Sequence, residues 1–213
     1  AGRRVKALFT GAHLRALVWT ATIYLFWNLA AGTAGIFNPY IIRTLGAASQ
    51  AASVGLASAS FVISMIVTIT VFMRFSDRSH RARRIMWGVG SVMQITAWVL
   101  YLVLPFSIPT IIANSVLFSA ASALSVEAFY KVFSQELFPT LLRGTAQGIT
   151  FGVARIAVGV WRFFVPVISN HGLGTLATLL TLFLIISGGV GFFGMPNTSG
   201  KTLEQIEGER AGT

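Results

Sequence analysis

Residues 50–73 read QAASVGLASASFVISMIVTITVFM, and residues 74–84 read RFSDRSHRARR. The first stretch has no ionisable side chain, whereas the second holds five arginines, one histidine and one aspartate. About 20 apolar residues in a helix span the hydrocarbon core of a bilayer. Arginines and lysines collect in the short loops that stay in the cytoplasm. An apolar run that ends in a strongly basic loop therefore predicts a membrane-spanning helix with a cytoplasmic end.

The composition extends this interpretation to the whole chain. Of its 213 residues, 54% are hydrophobic and only 10% are charged, and the net charge is +10. A soluble domain usually carries about 25% charged residues, because most of its surface faces water. The absence of cysteine excludes a disulfide framework and thiolate metal sites. We therefore predict an all-α integral membrane protein.

Six apolar runs are long enough to cross a bilayer. They cover about 16–42, 50–73, 85–104, 109–133, 144–168 and 174–195. Strands are a poor alternative, because the runs lack strict alternation and exceed the roughly 9–11 residues of a membrane strand. The chain is thus predicted to form a six-helix bundle over 16–195, with a lead-in at 1–15 and a tail at 196–213.

The basic residues alternate from one loop to the next. One side carries nearly all of them, and the opposite side offers only Arg43. This alternation predicts that both termini are cytoplasmic and that the chain lies in the cell membrane. A nucleic-acid surface would have no reason to follow it, so no nucleic-acid partner is expected. The residues on the basic side are Arg3, Arg4, Lys6, Arg15, Arg74, Arg78, Arg81, Arg83, Arg84, Arg143, Lys201 and Arg210.

The basic loop resembles a known signature. Residues 77–84, DRSHRARR, are similar to the D-[RK]-x-G-R-[RK] pattern of the major facilitator superfamily, with His80 where that pattern has glycine. The resemblance implies a loop that latches neighbouring helices at the cytoplasmic face. The residues that it assigns to this role are Asp77, Arg78, Arg81, Arg83 and Arg84.

Two further stretches narrow the resemblance. Residues 134–148, SQELFPTLLRGTAQG, are similar to the E-[LI]-F-P-x-x-x-R-G signature of sugar porters. Residues 195–207, MPNTSGKTLEQIE, resemble the tail signature of the same family, with Asn197 in place of its first acid. Together the three motifs imply the C-terminal half, helices seven to twelve, of a twelve-helix transporter of the inositol or polyol type.

Glu136 and Arg143 lie within the second motif. The resemblance implies that they form a cytoplasmic salt-bridge network with the basic loop, and such a network would break when the transporter changes state. The alternative is two unrelated charges at the membrane boundary.

Four ionisable residues fall inside the predicted spans: Glu127, Lys131, Arg155 and Arg162. Charges in a bilayer are costly and usually mark a pathway. Glu127 can pair with Arg155 on the next helix or with Lys131 one turn away on the same face. Either pair can be purely structural, or Glu127 and Arg155 can handle a substrate or a proton. Arg162 is expected to reach the membrane interface.

The first run contains FWNLAAGTAGIFNPY at 26–40. Its glycines and proline predict an interrupted helix, which in transporters often marks the binding site. Tyr24, Phe26 and Trp27 supply rings for a sugar face, and polar groups come from Asn28, Thr33 and Asn38. The alternative is helix packing with an interfacial aromatic belt. Sugar porters carry two glutamines where Phe26 and Trp27 stand here, so the substrate can be an unusual sugar, a polyol or an anion.

These observations predict secondary active transport of a small polar solute, a sugar or a polyol such as inositol, by alternating access, with proton coupling as an option. One alternative is an organic-acid transporter. Another is a half-size scaffold that does not transport and must pair with a second copy or a missing N-terminal half. No enzyme, cofactor or metal is expected, because nucleophile, phosphate-loop and metal-ligand motifs are missing.

The stripe Gly144, Gly148 and Gly152 predicts close contact between helices.

Overall fold

The computed structural model describes residues 8–44, 50–170 and 172–201, together with residues 205 and 208. Within these ranges the side chains of residues 12, 36–44, 50–53 and 173 are not described. All regular structure in the described part is helical, as predicted. The α-helices are α1 (Gly11–Thr44), α2 (Gln50–Val67), α3 (Met73–Phe75), α4 (His80–Val103), α5 (Ile108–Leu124), α6 (Val126–Glu136), α7 (Thr140–Asn170) and α8 (Leu173–Phe193).

Five helical stretches of the described chain are long and apolar enough to cross a membrane: Val54–Phe75, His80–Val103, Ile108–Glu136, Thr140–Asn170 and Gly174–Phe193. The remaining predicted span lies in α1, which is outside this set of five. With 34 residues, α1 is about 51 Å long at roughly 1.5 Å per residue, which exceeds the thickness of a bilayer core.

α1 is continuous, so the predicted interruption of the first span is wrong. Gly32 and Gly35 lie inside the helix, and neither has a positive φ. A glycine inside a helix costs only about 1 kcal/mol relative to alanine. The packing of α1 against α7 and α8 offsets such a cost.

The second span contains a π-helical turn, Thr68–Phe72, that joins α2 to α3 without a break. The sequence had predicted an ordinary helix over 50–73. Around this turn the hydroxyl of Thr68 donates to the carbonyl of Ser64 at 2.8 Å, and Thr70 donates to Ile66 at 2.7 Å. Such side-chain bonds compete with the regular backbone pattern, and π turns are frequent at functional positions.

The basic stretch is mostly helix, so its prediction as a loop is wrong for four of the five arginines. Arg74 ends the second span within α3, and the first turn of α4 carries the other three, Arg81, Arg83 and Arg84. Ser79 explains where α4 begins. It has an extended backbone, and its hydroxyl accepts a hydrogen bond from the backbone N–H of Ala82 at 3.1 Å, which is an N-cap arrangement.

The fourth predicted span consists of two helices rather than one. It breaks at Ser125, whose φ of −127° and ψ of −127° lie outside the helical region. The hydroxyl of Ser125 donates to the carbonyl of Ala121 at 2.9 Å. α4 approaches very closely here, because a Cβ on Gly90 would lie 2.7 Å from the Cβ of Ser125.

The core lies where α4 packs against α5 and α8, and where α1 packs against α7 and α8. Trp87 is fully buried, and its indole N–H donates to the carbonyl of Gly188 at 2.9 Å. A Cβ on Gly191 would overlap the ring of Trp87. This packing holds one side of the bundle together and leaves faces of α1, α6 and α7 around an open cavity.

Candidate functional site

Arg83 is the centre of a buried polar cluster at the start of α4. Its side chain is only 3% exposed, and its guanidinium donates to both carboxylate oxygens of Glu136, at 2.7 Å and 3.0 Å. The Nε of Arg83 donates to the carbonyl of Ser76 at 2.7 Å, and a more distant contact at 3.4 Å reaches Asp77. We call Ser76, Asp77, Arg83, Glu136 and Thr198 the Arg83 cluster.

Thr198 completes this cluster from the segment that follows α8. Its hydroxyl accepts from Arg83 at 3.0 Å and donates to Glu136 at 2.6 Å. The cluster therefore joins α4, α6 and the C-terminal segment at one point. Sequence reasoning missed Thr198, although it lies inside the tail motif that resembles the family signature.

The other predicted members of the latch do not join the cluster. The guanidinium of Arg78 lies 4.4 Å above the ring of Phe75, and that of Arg84 lies 4.7 Å above the ring of Phe192. Arg81 is exposed.

Of the predicted network between Glu136, Arg143 and the basic stretch, the structure forms the link from Glu136 to Arg83, because the first turn of α4 places that guanidinium against the end of α6. Arg143 does not join this link in the described part of the chain. The Nε of Arg143 is buried without a hydrogen-bond partner in the described part of the chain.

A first cavity of about 670 Å³ lies between α1, α6 and α7. Four of the predicted site residues line it: Trp27, Asn28, Glu127 and Arg155. The structure thus brings together residues that are more than 120 positions apart in the sequence. The complete lining is Tyr24, Trp27, Asn28, Ala31, Gly32, Glu127, Tyr130, Lys131, Ser134, Gln135, Gly144, Gln147, Gly148, Phe151 and Arg155.

Aromatic rings form one wall of the first cavity. The rings of Tyr24 and Tyr130 stack with their centroids 3.8 Å apart, and the ring of Tyr24 lies 6.1 Å from those of Trp27 and Phe151. The hydroxyl of Tyr130 is 2.6 Å from that of Thr150, which fixes this ring to α7. Tyr24 is one of the rings that the sequence proposed for a sugar face, and it lies one turn before Asn28.

Trp27 brings an unpaired donor to this wall. The residue is 7% exposed, and its indole nitrogen is buried with no hydrogen-bond partner among the described residues. Buried donors without an acceptor are rare and costly. The neighbouring Asn28 is also buried, and its amide donates to the carbonyl of Tyr24 at 2.8 Å.

Thr33 has a structural role in place of the predicted binding role. Its hydroxyl donates to the carbonyl of Leu29 at 2.6 Å and accepts the indole N–H of Trp161 at 2.9 Å. These bonds tie α1 to α7, and Thr33 does not line the first cavity. The side chain of Asn38 lies outside the described residues.

Three charged side chains line the first cavity. The Nζ of Lys131 lies 3.4 Å from a carboxylate oxygen of Glu127, and these side chains are 70% and 41% exposed. The guanidinium of Arg155 lies 4.6 Å above the ring of Phe151 and forms no ion pair with a described residue. Of the two pairings left open for Glu127, the structure forms the one with Lys131.

A second cavity of about 500 Å³ lies between α1, α2 and α5, and it shares Trp27, Ala31 and Glu127 with the first. Sequence reasoning missed it. Its signal was two series of hydroxyl residues at helical spacing, Ser60, Ser64 and Thr68 on the second span and Ser115, Ser119 and Ser122 on α5.

Among the described residues, the glycine stripe of α7 does not make the predicted helix contact. A Cβ on Gly144, Gly148 or Gly152 would meet no atom within 4 Å. Gly144 and Gly148 instead line the first cavity, where they leave room on the α7 side.

In the described chain, no group of three or more His, Cys, Asp or Glu side chains is arranged to hold a metal ion.

Comparisons with known proteins agree on one family. Residues 2–209 match the family model described as sugar (and other) transporter. The minor myo-inositol transporter IolF of Bacillus subtilis (strain 168) is 34% identical over 202 residues, which cover 94% of this chain and 45% of IolF. The probable metabolite transport protein CsbC of the same organism is 28% identical and is covered over 38% of its length. The chain thus spans less than half the length of the curated relatives it matches.

Solved structures show the same fold. The MFS proton:xylose symporter XylE, bound to 6-bromo-6-deoxy-D-glucose, aligns with a TM-score of 0.76 at 19% identity, over 99% of this chain and 45% of XylE. A double tryptophan mutant of XylE aligns with a TM-score of 0.75 over 92% of this chain and 42% of that protein. The predicted architecture, one half of a major facilitator fold, is confirmed.

Proposed function

Because this chain belongs to the sugar (and other) transporter family, we propose that it is part of a secondary active transporter for a small polar solute. The solute is a sugar or a polyol such as inositol, carried across the cell membrane by alternating access, with protons as the candidate coupling ion. The similarity to IolF supports the solute class. The similarity to XylE, a proton symporter, supports the option of proton coupling.

The observation that carries this proposal is the wall of the first cavity. A sugar or cyclic polyol has an apolar C–H face and a rim of hydroxyl groups. The stacked rings of Tyr24 and Tyr130 suit the face, and the unpaired indole N–H of Trp27 suits a hydroxyl oxygen. A cavity with apolar walls and a few polar groups is the usual form of a small-molecule site.

We infer that the described helices are helices seven to twelve of the transporter. In this arrangement the first cavity would be closed by the missing N-terminal half or by a second copy of this chain. The distribution of arginines supports cytoplasmic positions for both termini. The intact mass of the natural protein tests this inference. A mass about twice the 22.9 kDa of this chain would support a missing half, and a mass near 22.9 kDa would require two copies.

The Arg83 cluster is proposed as the gate of the alternating-access cycle. It fastens α4 to α6 and to the segment after α8, so these elements move together while it is intact. Opening the cytoplasmic side would break some of these bonds and form others, as salt bridges do in other switching proteins.

Solute exchange by the natural protein in liposomes tests the transport proposal. The vesicles are loaded with unlabelled myo-inositol or glucose, and uptake of the same labelled solute is measured. Exchange above that of empty liposomes is expected for at least one of the two. If neither these solutes nor a panel of pentoses, polyols and sugar acids exchanges, the chain is better explained as a membrane scaffold that does not transport.

A further inference from the structure

The charges around the first cavity do not balance. Lys131 and Arg155 line it as cations, and among the described lining residues Glu127 is the single acid. The wall that the described residues form therefore carries one excess positive charge. A charge inside a membrane is costly unless a counter-charge or water compensates it.

Glu127 cannot neutralise both cations. It already faces Lys131 at 3.4 Å, and Arg155 has no ion-pair partner in the described part of the chain. The guanidinium of the exposed Arg155 lies 4.6 Å above the ring of Phe151, a contact that leaves its charge without a counter-charge. A guanidinium presents a planar fork of N–H groups that fits a carboxylate with two parallel hydrogen bonds.

The surroundings of Arg155 are those of a solute site. The same cavity holds the stacked Tyr24 and Tyr130 rings and the unpaired N–H of Trp27. It therefore combines a wall for a sugar ring, a donor for a hydroxyl group and a cation for an acid group. A neutral polyol has no acid group for this cation to bind.

We propose that the solute is a sugar acid, whose carboxylate is bound by Arg155 while its ring lies against the tyrosine wall. Lys131 supports the same negative charge and is itself held by Glu127. This inference rests on the proposed transport function and narrows its solute class from sugars and polyols to hexuronates and similar anions. Arg155 and Lys131 are then the residues that determine specificity for charge.

Binding of a matched pair of solutes tests the proposal. D-Glucose and D-glucuronate have the same ring and differ at one carbon, which carries a hydroxymethyl group in the first and a carboxylate in the second. Affinities for these two solutes and for myo-inositol are measured by titration calorimetry on the complete natural protein in detergent. We expect glucuronate to bind at least about tenfold more tightly than glucose.

Two variants test the assigned residues. Arg155→Gln and Lys131→Gln should each weaken glucuronate binding by about tenfold or more and change glucose binding by less than about twofold. Arg162→Gln is the matched control, because it removes an exposed arginine two turns further along α7 that does not line the cavity. This control should leave both affinities unchanged.

The outcomes separate the two proposals. Binding of glucose or myo-inositol without a preference for glucuronate would overturn the sugar-acid proposal and leave the transport proposal standing. A preference for glucuronate that survives Arg155→Gln and Lys131→Gln would place the recognition elsewhere and overturn the residue assignment. Absence of binding by all three solutes would count against both proposals.

Discussion

The guanidinium of Arg83 holds both carboxylate oxygens of Glu136, at 2.7 Å and 3.0 Å, across 53 residues of sequence. The arginine is 3% exposed and the glutamate is 25% exposed. Thr198 bonds to both partners and fastens the segment after α8 to them. Three separate parts of the chain therefore depend on one charged pair.

Arg83→Gln should destabilise the protein by about 3 kcal/mol, because it leaves the carboxylate of Glu136 partly buried without its partner. Arg83→Lys should restore little of the lost stability, since an ammonium group cannot form the two parallel bonds to the carboxylate of Glu136. Thermal unfolding followed by tryptophan fluorescence measures the effect. Arg81→Gln removes an exposed arginine from the same helical turn and is the control, with little expected change. Equal melting temperatures for Arg83→Gln and Arg81→Gln would contradict a structural role for the pair.

The two acids of the Arg83 cluster should differ in their effect on stability. Asp77 is 86% exposed and lies 3.4 Å from Arg83, so Asp77→Asn should hardly change the melting temperature. Glu136→Gln weakens the shorter, partly buried contact with Arg83 and should clearly lower the melting temperature. If Asp77 belongs to the gate, Asp77→Asn slows solute exchange more than it weakens solute binding. Unchanged exchange by this variant would exclude Asp77 from the gate.

Gly191 should tolerate no side chain. A Cβ there would overlap the ring of Trp87, which is fully buried and fixed by its bond to Gly188. Gly191→Ala should therefore destabilise the protein by about 3 kcal/mol, at the upper end of the usual cost of overpacking a core. Gly189→Ala is the matched control on the same helix, because a Cβ at Gly189 would meet no atom within 4 Å. A melting temperature for Gly191→Ala as high as that of the control would mean that α4 and α8 are less closely packed than described.

Trp27 and Trp98 provide a paired test of the solute site. Both have a buried indole nitrogen without a partner in the described chain, but only Trp27 lines the two cavities. Replacement by phenylalanine removes the unpaired donor and some buried ring area in both cases, so the two variants should have similar melting temperatures. Only Trp27→Phe should weaken solute binding, by about tenfold for the loss of one hydrogen bond. Equal solute affinities for the two variants would exclude the indole N–H from the site.

Hydropathy predicted the helical class and the approximate spans, because in lipid each long apolar run must satisfy its own backbone hydrogen bonds. It did not predict the break at Ser125, where Gly90 of another helix approaches closely. The glycines and the proline of the first run predicted an interruption, whereas α1 is continuous and packs against α7 and α8.

The candidate site was likewise predicted only in part. Trp27, Glu127 and Arg155 were identified as a polar or charged minority in apolar runs, and the fold places all three at one cavity. The resemblance implied a contact between Glu136 and the basic loop but did not single out Arg83, because only the start of α4, fixed by Ser79, aims that side chain at a residue 53 positions away. Thr198 was missed because its role depends on two charges that its own sequence neighbourhood does not contain.

The break at Ser125 also gives α6 a mechanical property. This helix of 11 residues carries Lys131 at the cavity and Glu136 in the Arg83 cluster, on one unbroken segment. Its length is about 16 Å at roughly 1.5 Å per residue. Because the backbone breaks at Ser125, we expect α6 to tilt there as a unit, so that a solute bound at Lys131 would change the position of Glu136.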